Sequence, residues 1–261
     1  SNSKLNYQTR MGRVDEVLQH ILAWQDQPQP PSVYIASNLL QSHFPTLPDQ
    51  HNMQLPKADL GYETEPDRVS IWLGNRSLAA CHYDASENLA CCVLGKRRFT
   101  LFPPEQVANL YIGPLDFTPA GQPVSLVNMA QPDLTAHPKY AQAYAAALSV
   151  ELEPGDAIYI PTPWWHHVQS LSQFNVLVNY WWSDTYVASA LPFPMLLHAL
   201  LSFKHMSEGQ QHAWRQLLKH YLFAENGDPA AHLPAQARGV LGELTPQLAQ
   251  GIHQWLANQL K

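Results

Sequence analysis

Ala79-Ala80-Cys81-His82-Tyr83-Asp84 is the stretch that decides how this chain is read. It reads as a strand, and strand side chains alternate between faces, so His82 and Asp84 are expected on one face. Working outward, Leu89 to Leu94 is a continuous apolar run of strand length closed by Gly95. Arg98 to Phe102 is a further strand that stops at Pro103-Pro104. Short apolar runs bounded by glycine and proline are the pattern of a β-domain rather than a helical bundle.

The same punctuation extends in both directions. Upstream, Val69 to Leu73 and the shorter Val33-Tyr34-Ile35 read as strands, with a proline-bearing loop over residues 43–67 between them. Arg13 to Trp24 carries Val14, Val17, Leu18, Ile21 and Leu22 at helical spacing, which predicts one apolar stripe. Downstream, one helical turn is expected over Glu105 to Leu110, and residues 113–137 form a turn-rich insertion. His137-Pro138 is expected to start a short helix to Ala147, with proline at the first helical position. Strands follow at Leu148 to Leu152, Ala157 to Ile160, His166 to Ser170 and Phe174 to Trp182, the first two joined by the turn Pro154-Gly155-Asp156. The last strand is apolar on both faces, which predicts that both are covered.

After Asp184 the period becomes helical. Ser207 and Gln210 form a capping-box pair ahead of a helix to Phe223, and Thr245-Pro246 supplies an N-cap and a first-turn proline. Leu248, Ile252, Trp255 and Leu256 then make one stripe. Three regions result: 1–68, an N-terminal helix and proline-rich connection; 69–184, the β-domain; and 185–261, a helical appendage.

Composition narrows the function. Of 261 residues, 46 % are hydrophobic and 22 are proline, enough for a large core cut by many turns. The net charge is −6 and Lys96-Arg97-Arg98 is the densest basic spot, so no broad basic face for nucleic acid is expected. Three cysteines, Cys81, Cys91 and Cys92, lack CxxC spacing, which argues against a disulfide framework or a cysteine zinc site and makes a reducing cytoplasm the expected setting. The longest apolar stretch, Val187 to Phe203, is broken by Pro192, Pro194 and His198, so no membrane span is expected.

Adding one distant histidine to His82 and Asp84 gives two imidazoles and one carboxylate, the facial donor set of non-haem Fe(II) sites with positions left open. In Trp164-Trp165-His166-His167 adjacent residues face opposite ways, so one histidine of the pair can join that set. Taken alone, His82 reads first as a strand-end histidine hydrogen-bonded to a turn.

Read together, His82-Tyr83-Asp84, Gly95 through Leu101-Phe102-Pro103-Pro104, Pro154-Gly155-Asp156, Tyr159-Ile160-Pro161, Trp164-Trp165-His166-His167 and Asn179-Tyr180-Trp181 fall in a familiar order. Segment 69–182 resembles the JmjC-type, cupin-like 2-oxoglutarate oxygenases, especially the group containing the asparaginyl hydroxylase of hypoxia-inducible factor. The resemblance implies a mainly β fold, a double-stranded β-helix of jelly-roll (cupin) type with flanking helices. It implies Fe(II) held by His82, Asp84 and His166, the first histidine of the pair. It implies 2-oxoglutarate as co-substrate, with Arg97 at the position that usually carries the lysine for its far carboxylate. Tyr34, Asn88 and Asn179 match co-substrate contacts, and Trp181 a pocket-wall aromatic. Ala79 stands where such enzymes commonly have threonine. Relatives of this kind also carry a segment ahead of Arg13 that this sequence is expected to be short of. The implied activity is hydroxylation of a protein side chain by a protein that pairs through its C-terminal helices into a homodimer. A non-catalytic cupin-like binding module and an oxygenase acting on a small molecule remain alternatives.

Overall fold

The structure, a computed structural model, describes residues 10–24, 27, 30–47, 68–116, 118, 121–183 and 191–259. The loop expected over residues 43–67 lies outside the described residues from position 48 onward. The chain divides into two compact units, Ser1–Asp184 and Thr185–Lys261.

The first unit opens with helix α1 (Val14–Ala23), strand β1 (Tyr34–Leu39) and a four-residue helix α2 (Leu40–His43). Eight strands follow: β2 (Arg68–Gly74), β3 (Leu78–His82), β4 (Glu87–Leu94), β5 (Arg97–Phe102), β6 (Leu148–Leu152), β7 (Ala157–Ile160), β8 (Trp165–Ser170) and β9 (Asn175–Trp182). They form two antiparallel sheets. The larger has the order β1-β2-β9-β4-β7 and the smaller β3-β8-β5-β6. From β2 to β9 the chain passes back and forth between the sheets, breaking the alternation at β5–β6. This is the double-stranded β-helix that the family resemblance implies.

The alternation of side chains sorts the apolar residues into layers. Trp72, Ala90, Cys92, Phe99, Leu101, Leu152, Ile160, Val168 and Leu177 pack into one cluster, the interior between the sheets. Val178, Tyr180, Trp182 and Ile71, one residue out of phase, pack with Leu40 of α2 on the outer face of the larger sheet. The smaller sheet has its own outer cover: Cys81, Phe102 and Trp165 pack with Leu110, Val127, Tyr140 and Ala143. Both faces of β9 are therefore covered, as its double apolar pattern predicts. Phe99 and Phe102 are fully buried on opposite sides of one strand, each contributing about 1.5–3 kcal/mol of transfer free energy.

Several local expectations need correcting. Strand β3 ends at His82, so Asp84 lies in the turn beyond it rather than on the strand. The turn expected over Glu105 to Leu110 is a 3₁₀ helix, Pro104–Asn109. The helix expected from His137-Pro138 is α3, Tyr140–Ala145, so Pro138 precedes it instead of occupying its first position. Strand β1 runs to Leu39, longer than the three residues expected.

In the second unit, α4 (Pro192–Phe203), α5 (Glu208–Tyr221) and α6 (Pro246–Gln259) are the α-helices among the described residues. Ser207 Oγ accepts from Gln210 N at 3.3 Å while Gln210 Oε1 accepts from Ser207 N at 3.0 Å, the reciprocal capping box. Thr245 Oγ1 accepts from Leu248 N at 3.2 Å to start α6. Among the described residues no helix is long and apolar enough to cross a membrane.

Candidate metal centre

His82 sits at the end of β3, directly opposite His166 on β8. A β-bulge makes this pairing. Ala79 lies opposite Val168, an interior residue, and regular alternation from Ala79 would turn Cys81 inward and His82 outward. The register shift between Ala79 and His82 reverses that phase: Cys81 joins the outer cluster and His82 faces in. The two imidazole rings then lie 4.4 Å apart between centroids.

The turn after β3 brings the carboxylate to them. His82 Nε2 is 3.9 Å from Asp84 Oδ1, and His166 Nε2 is 3.6 Å from Asp84 Oδ2. The three potential ligand atoms lie within 4.8 Å of one another, and this is the one such cluster among the described residues. Both histidines are also oriented from behind. His82 Nδ1 is 2.8 Å from the carbonyl of Ala80, and His166 Nδ1 is 3.1 Å from that of Trp164. A ring that donates Nδ1–H to a carbonyl keeps its Nε2 lone pair for a metal. Burial, and then the neighbouring His82, push the pKa of the His166 imidazole below its ordinary value, which keeps it neutral and able to ligate. Two imidazoles and one carboxylate fit a divalent first-row metal, Fe(II) among them. His167 faces elsewhere, with Nδ1 2.7 Å from the carbonyl of Ala79.

Arg97 lies deeper in the same interior. It shares the inward phase of Phe99 and Leu101, and it is only 2 % exposed. Leu101 pairs with His166 and Arg97 with Ser170, so Arg97 is set back from the metal ligands by about 13 Å of strand, distance its long side chain can partly recover. Its neighbours in sequence point out: Lys96 meets Glu153 and Arg98 meets Glu151, each at 2.5 Å. Arg97 rests against the hydroxyl of Tyr34, but its Nε and Nη2 are buried without a partner among the described residues. Burial lowers the Arg97 pKa and pushes that of Tyr34 up to about 12; each group's effect on the other works in the opposite direction. A guanidinium remains charged even so. Unpaired buried donors of this kind are rare, and they fit a carboxylate taken between the sheets.

Tyr34 faces Gly74 across β1 and β2, where a Cβ would come within 2.6 Å of the Val33 carbonyl oxygen. The Tyr34 ring packs on Trp72 at 5.5 Å, and Trp72 meets Trp181 edge-on at 6.0 Å. Trp72 was not expected at the site. Its indole Nε1 is buried and unpartnered among the described residues. Alternation along Val69 to Leu73 already held the signal, because Trp72 is out of phase with Ile71 and Leu73.

The two asparagines turn toward the metal end. Asn88 Nδ2 donates to Asp84 Oδ2 at 3.0 Å, and Asn179 Nδ2 donates to Asn88 Oδ1 at 2.6 Å. Trp181 Nε1 donates to the same Asp84 oxygen at 3.3 Å. Ala79, paired with Val168 and lacking a hydroxyl, offers no donor at its place on β3.

The chain is similar to several known proteins. A lysine-specific demethylase, JMJ31, from Arabidopsis thaliana is 28 % identical over 171 residues, covering 62 % of this chain and 30 % of the relative. The human bifunctional peptidase and (3S)-lysyl hydroxylase JMJD7 is 30 % identical over 167 residues, covering 56 % of this chain and 51 % of the relative. The chain thus spans about half or less of the length of these relatives. The crystal structure of the Escherichia coli ribosomal oxygenase YcfD aligns with 88 % of this chain and 47 % of its own, at 14 % identity and a TM-score of 0.35. Matched over residues 1–188 as a cupin-like domain, the chain belongs to the cupin-like, JmjC-type domain family.

Proposed function

We propose that this protein is an Fe(II)- and 2-oxoglutarate-dependent dioxygenase that hydroxylates a protein side chain. One observation carries the reading: a two-histidine, one-carboxylate cluster and a buried arginine with unpartnered donors open into the same interior between the sheets. A dicarboxylate co-substrate needs both ends of that arrangement. His82, Asp84 and His166 would hold the iron. Arg97, with the Tyr34 hydroxyl beside it, would take the far carboxylate, and a planar fork of donors suits that task. When bound, the iron and 2-oxoglutarate supply the oxidising power: O2 is consumed, the keto acid leaves as succinate and CO2, and a substrate C–H becomes C–OH. The chain's own part is to orient the two small ligands and to keep water from them with Trp72, Phe99, Leu101 and Leu177.

The relatives bear lysine-directed names, so a lysine side chain heads the substrate panel. Three cysteines without CxxC spacing fit a reducing, cytoplasmic setting. The proposal extends to a homodimer through the second unit, whose α6 exposes Trp255 and Leu256.

The test is succinate production from 2-oxoglutarate by purified protein with Fe(II) and a lysine-containing peptide panel. Calorimetry of 2-oxoglutarate binding runs beside it, with His82→Ala as the metal-free control. Turnover that depends on His82 supports the reading. Absence of both turnover and 2-oxoglutarate binding in the wild type refutes it.

A further inference from the structure

Asp84 is the ligand with least backing from regular structure, because β3 ends at His82 and the carboxylate stands on the turn beyond. Something else must hold its rotamer. Two donors reach the same oxygen, Oδ2: Asn88 Nδ2 at 3.0 Å and Trp181 Nε1 at 3.3 Å. They are cross-strand neighbours, Asn88 of β4 paired with Trp181 of β9. Neither donor is loose. Asn88 receives Asn179 Nδ2 at 2.6 Å, in a bond that is buried. The Trp181 ring is held edge-on by Trp72 at 6.0 Å and lies under the Arg68 guanidinium at 5.5 Å.

Charge sets the direction of this chain of bonds. An ionised carboxylate only accepts, so Asn88 must turn its amide nitrogen to Asp84 and its oxygen to Asn179, and Asn179 must then donate. Among the described residues no hydrogen-bond donor reaches Asp84 Oδ1, which lies 3.9 Å from His82 Nε2, while Oδ2 lies 3.6 Å from His166 Nε2.

We propose that Asn88 and Trp181 are positioning residues that hold Asp84 Oδ2 and present Oδ1 alone as the ligand atom, with Asn179 as the prop behind Asn88. This rests on the metal reading above. The arrangement has a purpose in a facial site. A carboxylate that gripped the metal through both oxygens would take one of the positions that co-substrate and O2 require. With Oδ2 occupied by two N–H groups, the carboxylate is restricted to one. Asn88 and Asn179 thereby act on the metal ligand first, and on the co-substrate through it.

Co(II) is the probe, because its visible spectrum reports coordination number and needs no turnover. Affinity is measured by chelator competition on the full chain, with a thermal melt of the metal-free protein alongside. Asn88→Leu keeps the volume and removes both hydrogen bonds. It is expected to weaken Co(II) binding by about 10–100-fold, as loss of a partner behind a ligand does, and to change the spectrum. Trp181→Phe keeps the ring packing and removes only the N–H. It is expected to weaken binding less, with a change of spectrum in the same sense, and it decides the matter if Asn88→Leu melts early. Wild-type Co(II) affinity and spectrum in both variants overturns the proposal. So does a loss of 2-oxoglutarate affinity in Asn88→Leu with Co(II) binding intact, which would make Asn88 a co-substrate contact. A wild-type protein that binds no Co(II) at all overturns the metal reading itself, and this inference with it.

Discussion

Replacing Arg97 by methionine should make the metal-loaded, co-substrate-free protein more stable and abolish its response to 2-oxoglutarate. Arg97 is 2 % exposed, no carboxylate meets it among the described residues, and two of its nitrogens lack partners. Each buried unsatisfied donor costs about 1–3 kcal/mol. A buried charge replaced by a well-packed apolar side chain of similar volume commonly leaves a protein unchanged or stabilised by about 1–4 kcal/mol. The Tyr34 contact is lost in the variant and offsets part of this gain. The net expectation is a stabilisation of about 1–3 kcal/mol, which for a domain of this size raises Tm by roughly 2–10 °C. Adding 2-oxoglutarate at a hundredfold excess over Kd should stabilise the wild type by about 2.7 kcal/mol and the variant not at all. The gap between the two melting curves should therefore close when the ligand is added, and reverse wherever the variant gains less than about 2.7 kcal/mol. The assay is a thermal melt of both proteins with Co(II), with and without 2-oxoglutarate. The reasoning is refuted if Arg97→Met keeps the wild-type ligand shift, or if it is destabilised by more than about 1 kcal/mol without ligand, the scale of a net hydrogen bond lost.

Two further outcomes test the scaffold. Gly95 has φ of +79°, and a Cβ there would lie 2.5 Å from the Phe174 carbonyl oxygen and 2.6 Å from Asn175 Oδ1. Gly95→Ala should cost about 2–4 kcal/mol in urea unfolding and weaken 2-oxoglutarate binding, because Gly95 leads into the strand that carries Arg97. If the second unit pairs two copies, the double change Trp255→Glu and Leu256→Glu should halve the mass measured by sedimentation at micromolar concentration while leaving Co(II) affinity unchanged.

Most of the architecture was legible because strands announce themselves locally. Alternation, glycine and proline located the strands from β2 to β9 to within a few residues, and Ser207 with Gln210 marked a helix start by a bond that spans three residues. Asn179 and Trp181 could be placed on one face because the period of two carries face information along a strand, whereas Tyr34 and Arg97, on other strands, were placed with them by the family resemblance. The positions that escaped depend on partners distant in the chain. The bulge after Ala79 exists only as a relation to Val168 and His166, and without it strict alternation would set His82 on the wrong face. Asp84 reaches the cluster from a turn, where the period of two no longer applies. That Asn88 grips Asp84, that Trp72 presents a buried N–H, and that among the described residues no acid answers Arg97 are facts of packing between two sheets. The sequence by itself determined which side chains could serve a metal and a dicarboxylate. Only the tertiary structure decided which oxygen of Asp84 is held, because hydrogen bonds between residues about a hundred positions apart make that choice.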